Sequence, residues 1–139
     1  MRFLAILVLL VAATSAPAMA CSCAGDLRLE TRFSSSRVVG IVQVVSAKLI
    51  TDPKELDEEG SPEVHARAVL VESLKGKSRK EITLVGVTPS HGCFDPIFVG
   101  EFYLIFSDGR EEVSFTACGV HPALRSVPDG MLKAWRGDS

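Results

Sequence analysis

The stretch Val38-Val39-Gly40-Ile41-Val42-Gln43-Val44-Val45-Ser46-Ala47-Lys48-Leu49-Ile50 is dominated by β-branched residues and contains no proline. Such side chains suit a pleated, packed surface, so the run predicts one long strand, with Gly40 marking a bulge. On its N-terminal side, Asp26 to Phe33 predicts a helix of about two turns, broken by Ser34-Ser35-Ser36. On its C-terminal side, Thr51 to Pro62 is an acidic loop with two prolines and a glycine. Val64 to Leu74 fits helix or strand by periodicity alone. Its valines and the Lys75-Gly76 turn favour a strand. Glu81 to Thr88 predicts a third strand, stopped by Pro89; Pro89 to Pro96 is a loop carrying Cys93. Ile97 to Phe106 predicts an apolar fourth strand whose Val99 to Phe106 part is core, ending at the Ser107-Asp108-Gly109-Arg110 turn. Glu112 to Ala117 predicts a fifth strand running into Cys118, and Gly130 to Arg136 a short helix. Five closely spaced strands in one small domain predict a mainly β fold, a closed or nearly closed barrel with short flanking helices.

The 139 residues suffice for one core. Residues 1–20 read as a secretory signal peptide. Arg2 is the charged start, Phe3 to Ala13 the apolar run, and Ala18-Met19-Ala20 the small-x-small cleavage site. The apolar run is too short for a bilayer span, and no later stretch is longer. The product would be exported, extracellular or periplasmic, with residues 21–139 as its one domain. Fifteen basic against 17 acidic residues lack the excess of positive charge that nucleic acid calls for. The absence of asparagine excludes N-glycosylation.

Four cysteines, Cys21, Cys23, Cys93 and Cys118, imply two disulfides in an exported chain. A Cys21–Cys23 bond would close a strained ring. Two pairings remain, each tying the N-terminal pair to both distant cysteines. In extended chain, residues two apart face the same way, so Cys21 and Cys23 can reach two neighbouring strand ends together. In the chain-entropy model, loops of roughly 70 to 95 residues are worth about 4–5 kcal/mol each. The spacing is not the Cys-x-x-Cys of a redox site, nor the paired knuckles of a four-cysteine zinc site. His65, His91 and His121 are scattered, and His91 beside Cys93 reads as a solvated loop residue. Glu55, Asp57, Glu58 and Glu59 lack the ligand spacing of a calcium loop. Neither Ser114 nor Ser34–Ser36 stands with the His and Asp of a serine hydrolase.

Cleavage after Ala20 would make Cys21 the first residue, with its α-amine, carbonyl and sulfur together. The Cys21-Ser22-Cys23 opening, Leu74-Lys75-Gly76 followed by Lys80-Glu81-Ile82-Thr83-Leu84, Thr88-Pro89-Ser90 leading to Cys93, and Glu101-Phe102-Tyr103-Leu104-Ile105 followed by Phe115-Thr116-Ala117-Cys118 span nearly the whole of residues 21–139. In this order they resemble the inhibitory domain of the tissue inhibitors of metalloproteinases, a netrin-like module. That family has a third disulfide, and an apolar, proline-containing stretch where this chain has Ala24-Gly25-Asp26. The resemblance implies a five-stranded OB-fold barrel with disulfides Cys21–Cys93 and Cys23–Cys118. It also implies a monomeric, non-enzymatic inhibitor with no cofactor of its own. The Cys21 amine and carbonyl would chelate the catalytic zinc of a target metalloprotease, and Ser22 would enter the adjoining substrate pocket. The alternative is a non-inhibitory netrin-like binding module, extracellular or periplasmic, either free or as a lipoprotein acylated at Cys21.

Overall fold

The computed structural model describes residues 28–52, 62–87, 96–115 and 121–137. Two short helices flank five strands: α1 (Leu29–Ser35), β1 (Val38–Ile50), β2 (Glu63–Lys75), β3 (Glu81–Val87), β4 (Phe102–Ser107), β5 (Glu112–Ser114), and α2 (Asp129–Arg136) after a 3-10 turn at Leu124–Ser126. The strands form one mixed sheet in the order β4-β1-β2-β3-β5. The β1–β2, β2–β3 and β1–β4 pairs are antiparallel, and β3–β5 is parallel. The bulge expected at Gly40 is present as a register shift between Val39 and Gly40. No helix among the described residues is long and apolar enough to cross a membrane.

The outermost strands, β4 and β5, are joined by residues 108–111 alone. Such a connection, fully extended, reaches at most about 18 Å. The outer strands of a flat five-stranded sheet lie roughly 19 Å apart. A flat sheet would stretch the connection to its limit; instead the sheet curls, and the Tyr103 and Phe115 rings meet edge to face inside the curl at 5.1 Å. The inner core holds Val42 and Val44 of β1, Ala66 and Ala68 of β2, Ile82 and Leu84 of β3, and Val113 of β5.

A second core lies on the opposite face. There Val39 and Ile41 of β1 and Leu104 and Phe106 of β4 pack with Val127 and Leu132. Both faces of β1 are thus covered at its start, so Val38 to Val42 are buried without alternation. The covering helices are too short to persist alone. They hold each other through Phe33 and Trp135, whose rings stack at 4.4 Å. The Lys75 ammonium donates to the carbonyls of Phe33 (2.7 Å) and Ser34 (2.8 Å), closing the C-terminus of α1 with a cation. Arg136 of α2 donates twice to the Glu72 carboxylate of β2, at 2.8 and 2.6 Å. Those hydrogen bonds hold the Glu72 carboxyl below its usual range.

Three expectations change. The barrel is not closed: no ladder joins β4 to β5 among the described residues. The serines do not stop α1 at Phe33, because the Ser34 and Ser35 hydroxyls donate back to the Thr31 and Arg32 carbonyls and the helix runs on to Ser35. The fourth strand starts at Phe102, not Ile97. Gly100, at φ +90°, turns the chain ahead of it. Val99 stands 60% exposed instead of in the core. Ala117 and Cys118 lie outside the described residues.

Gly76 sits at φ +67°, and a Cβ there would stand 2.3 Å from the Arg37 carbonyl oxygen. Gly76→Ala is expected to lower unfolding stability by about 2 kcal/mol or more, through backbone clash and left-handed strain together. Gly130→Ala, in a helical site with nothing within 4 Å of the new methyl, should instead raise it by about 0.5 kcal/mol. Urea unfolding of the two variants checks this pair, and equal effects would contradict it.

Candidate functional site

β3 and β5 run parallel as neighbours, with Thr83 opposite Glu112 and Val85 opposite Ser114. The Phe115 amide extends the pairing by donating to the Val85 carbonyl at 2.7 Å. Both strands therefore leave the sheet at the same end. In sequence, Cys93 follows Val87 by six residues and Cys118 follows Phe115 by three. The two segments bearing the distant cysteines thus start from adjacent strand ends. Cys21, Ser22, Cys23, Cys93 and Cys118 themselves, and both expected disulfides, lie outside the described residues. So do His91 and the acidic residues Glu55, Asp57, Glu58 and Glu59.

The turn preceding β4 lies across this same end. A Cβ on Gly86, next to the last residue of β3, would stand 3.3 Å from both the Ile97 side chain and the Phe115 carbonyl. The Tyr103 hydroxyl donates to the Pro96 carbonyl (3.3 Å) and accepts from the Phe98 amide (3.0 Å). Backbone bonds from Gly100 to Val44 (2.7 Å) and from Val44 to Glu101 (3.1 Å) pin the turn to β1. The Gln43 amide donates to the Gly100 carbonyl, and Arg125 pairs with Glu101. The turn is fixed on every side, yet Phe98 and Val99 remain 53% and 60% exposed.

Between β4 and β5 stands His121, only 4% exposed. Its Nδ1 accepts the Phe106 amide at 3.3 Å, and its Nε2 lies 3.1 Å from the Ser114 carbonyl. A carbonyl only accepts and an amide only donates, so the ring is neutral with its proton on Nε2. Beside it the Leu104 amide donates to the Pro122 carbonyl at 3.0 Å, and Tyr103 bridges Ala123. The imidazole and its neighbours take up edge groups of β4 and β5 that a closing ladder would have used. Burial pushes the His121 pKa down to about 4; the Arg32 guanidinium adds to the fall and the Ser114 carbonyl opposes it. The Arg32 guanidinium lies over the Phe106 ring, 5.2 Å from its centre.

A third feature is a shallow groove of about 380 Å³ on the outer face of β1, β2 and β3, lined by Ser46, Lys48, His65, Arg67, Glu81 and Thr83 among others. His65 is on a strand and pairs with Glu63 at 2.9 Å; Arg67 pairs with Glu81 at 3.5 Å. The exposed Arg67–Glu81 pair is worth at most about 1 kcal/mol. The two pairs aim no nucleophile or base at a common point. Among the described residues no three His, Cys, Asp or Glu side chains are grouped to hold a metal ion. Ser114 meets His121 through its backbone oxygen, which is not the geometry of an activated nucleophile.

Sequence reasoning missed His121 and the exposed Phe98-Val99 pair. Pattern could not find the histidine, whose partners are 15 and seven residues away. Gly100 directly after Phe98-Val99 was the available sign of a turn.

The unfolded chain binds a proton at His121 below about pH 6.5, whereas the folded chain resists until about pH 4. Stability should therefore fall as pH drops through that window, with this residue contributing about 3 kcal/mol in all. His121→Gln keeps one donor and one acceptor but cannot titrate. Its unfolding free energy, measured from pH 7.5 to 4, should fall less steeply than wild type; parallel curves would refute the assignment.

No protein-family model matches the chain, and no curated protein sequence matches it.

Proposed function

We propose that this protein is an exported inhibitor of zinc metalloendopeptidases, acting through the free N-terminus of Cys21. The observation that carries the reading is the parallel β3–β5 pair, which starts the Cys93 and Cys118 segments from one end of the sheet. That is the arrangement in which an extended Cys21-Ser22-Cys23 can bond to both at once. The strand order, with β3 and β5 parallel and the sheet curled, supports the OB-like, netrin-like architecture that the resemblance implies.

The chemistry follows from the terminus. A catalytic zinc keeps one coordination position for the water it activates. An amine and a carbonyl oxygen from one residue displace that water and end the reaction. An α-amine, with an ordinary pKa of about 7.7–8.0, loses its proton to a metal at modest cost near neutral pH. Ser22 makes a shallow pocket contact, and its hydroxyl can bond the protease's general-base carboxylate. Two disulfides hold the terminus in its binding geometry before the protease arrives, so little ordering entropy is lost. The protein acts as a monomer with no cofactor of its own, and the zinc it contacts belongs to the target.

The second reading is a non-inhibitory netrin-like binding module, extracellular or periplasmic; its lipoprotein form, acylated at Cys21, contradicts this chemistry, since an acylated amine cannot ligate zinc. Intact-mass measurement of the exported protein separates the acylated form, and a panel of zinc proteases separates the unacylated one. A chain starting at an unmodified Cys21 is expected; acyl chains or a different start would refute the inhibitor. Adding one alanine before Cys21 should raise the inhibition constant at least about a hundredfold, roughly 2.7 kcal/mol, with an unchanged unfolding midpoint. Equal constants for the two forms would rule out chelation.

A further inference from the structure

We propose that the His121-Pro122-Ala123 segment is an acid-operated latch: protonation of the imidazole lifts this segment out of the seam between β4 and β5 while the sheet beneath stays folded. The latch is a property of the seam and independent of the inhibitor reading. It differs from the loss of overall stability described above, because one segment opens by itself. His121 accepts the Phe106 amide at 3.3 Å and donates from Nε2 to the Ser114 carbonyl at 3.1 Å. The Leu104 amide donates to the Pro122 carbonyl at 3.0 Å, and Ala123 forms an isolated bridge with Tyr103. The sheet is joined by long ladders instead. β1 and β2 pair from Val39–Lys75 to Ile50–Glu63, and β2 and β3 from Glu63–Val87 to Val69–Glu81. A short segment on such local bonds opens at lower free energy than ladders of that length.

The trigger is Nδ1. In the neutral ring it accepts; once protonated it must donate, and the Phe106 amide facing it is itself a donor. The site also suits a cation badly. The ring lies between those of Phe106 and Phe115, with centres 6.4 and 5.5 Å away. The charged groups around it are Arg32 of α1, over the Phe106 ring, and Arg125, which lines the same small cavity and pairs with Glu101 ahead of β4. β4 and β5 present Tyr103, Phe106, Phe115 and the Ser114 carbonyl. That carbonyl favours a charge on the ring, but burial and Arg32 outweigh it. Beyond the 3-10 turn at Leu124–Ser126, Val127 is buried in the second core, so the far end stays anchored while the segment moves. Opening uncovers the Leu104 and Phe106 amides and the Ser114 carbonyl. Unpaired strand edges of this kind are templates for another strand.

Native-state hydrogen exchange of the exported protein tests the latch, read residue by residue in low urea at pH 7 and pH 4.5 with intrinsic rates divided out. The Leu104 and Phe106 amides should exchange through an opening almost insensitive to urea. Its equilibrium constant should rise about fiftyfold between the two conditions, as a ring that titrates at about 4 when latched returns to 6.5 when released. The Leu70 amide, which donates to the Lys80 carbonyl at 2.8 Å away from the seam, should stay more protected and keep the full urea dependence of unfolding. In His121→Gln the seam opening should change less than about threefold with pH, for want of a titrating ring. Seam amides that share the protection and urea dependence of Leu70 would overturn the latch, since the domain then opens only as a whole. A wild-type opening indifferent to pH, or one equally pH-dependent in His121→Gln, overturns it too. Should His121→Gln fail to fold, the wild-type exchange decides alone.

Discussion

The structure depends on the seam between β4 and β5, two edge strands that a short connection brings face to face and that no ladder joins among the described residues. An unpaired edge inside a folded domain is costly, because each buried amide or carbonyl left without a partner forfeits about 1–3 kcal/mol. The chain answers with a side chain. His121 offers an acceptor on one side of its ring and a donor on the other, which is what the Phe106 amide and the Ser114 carbonyl require. Only the neutral ring can do both, so burial and function in the seam select the same protonation state.

From that seam the order spreads in two directions. Inward, Tyr103 and Phe115 meet edge to face and fix the curl against the core of β1, β2 and β3. Outward, Phe106 lies in the second core under α1 and α2, with Arg32 over its ring. The helices contribute no independent stability at this length. They are positioned by Lys75, by the Phe33–Trp135 stack and by the Arg136–Glu72 pair. β1 and β4 are thereby gripped on both faces, and the turn before β4 inherits that rigidity.

What could be read in the sequence divides along a physical line. β1 was legible to its last residue, because its dense β-branched content is a local property. The Lys75-Gly76 turn was legible for the same reason. Gly76 needs its positive φ whatever the rest of the chain does. Phe98 and Val99 misled, since an apolar run looks alike whether it is buried or carried on a turn whose Phe98 and Gly100 amides are tied to Tyr103 and Val44, while Ile97 beside them does pack against the core. His121 was illegible, because its role is set by two strands that meet only after the sheet has curled. The cysteine arithmetic lies between these cases. It pointed to neighbouring strand ends, and β3 and β5 are neighbours, while the bonds themselves fall outside the described residues.

The parallel β3–β5 pair gives this partial legibility its functional weight. Antiparallel neighbours would send successive segments to opposite ends of the sheet. A parallel pair sends both to one end, and here both segments carry a cysteine. An inhibitor that works by chelation needs its terminal amine held still relative to a broad surrounding surface. One disulfide leaves a pivot, whereas two from adjacent strands remove it. Under the proposed function, the seam histidine, the pinned turn before β4 and the doubly covered β1 would provide that stiffness in the described part of the sheet.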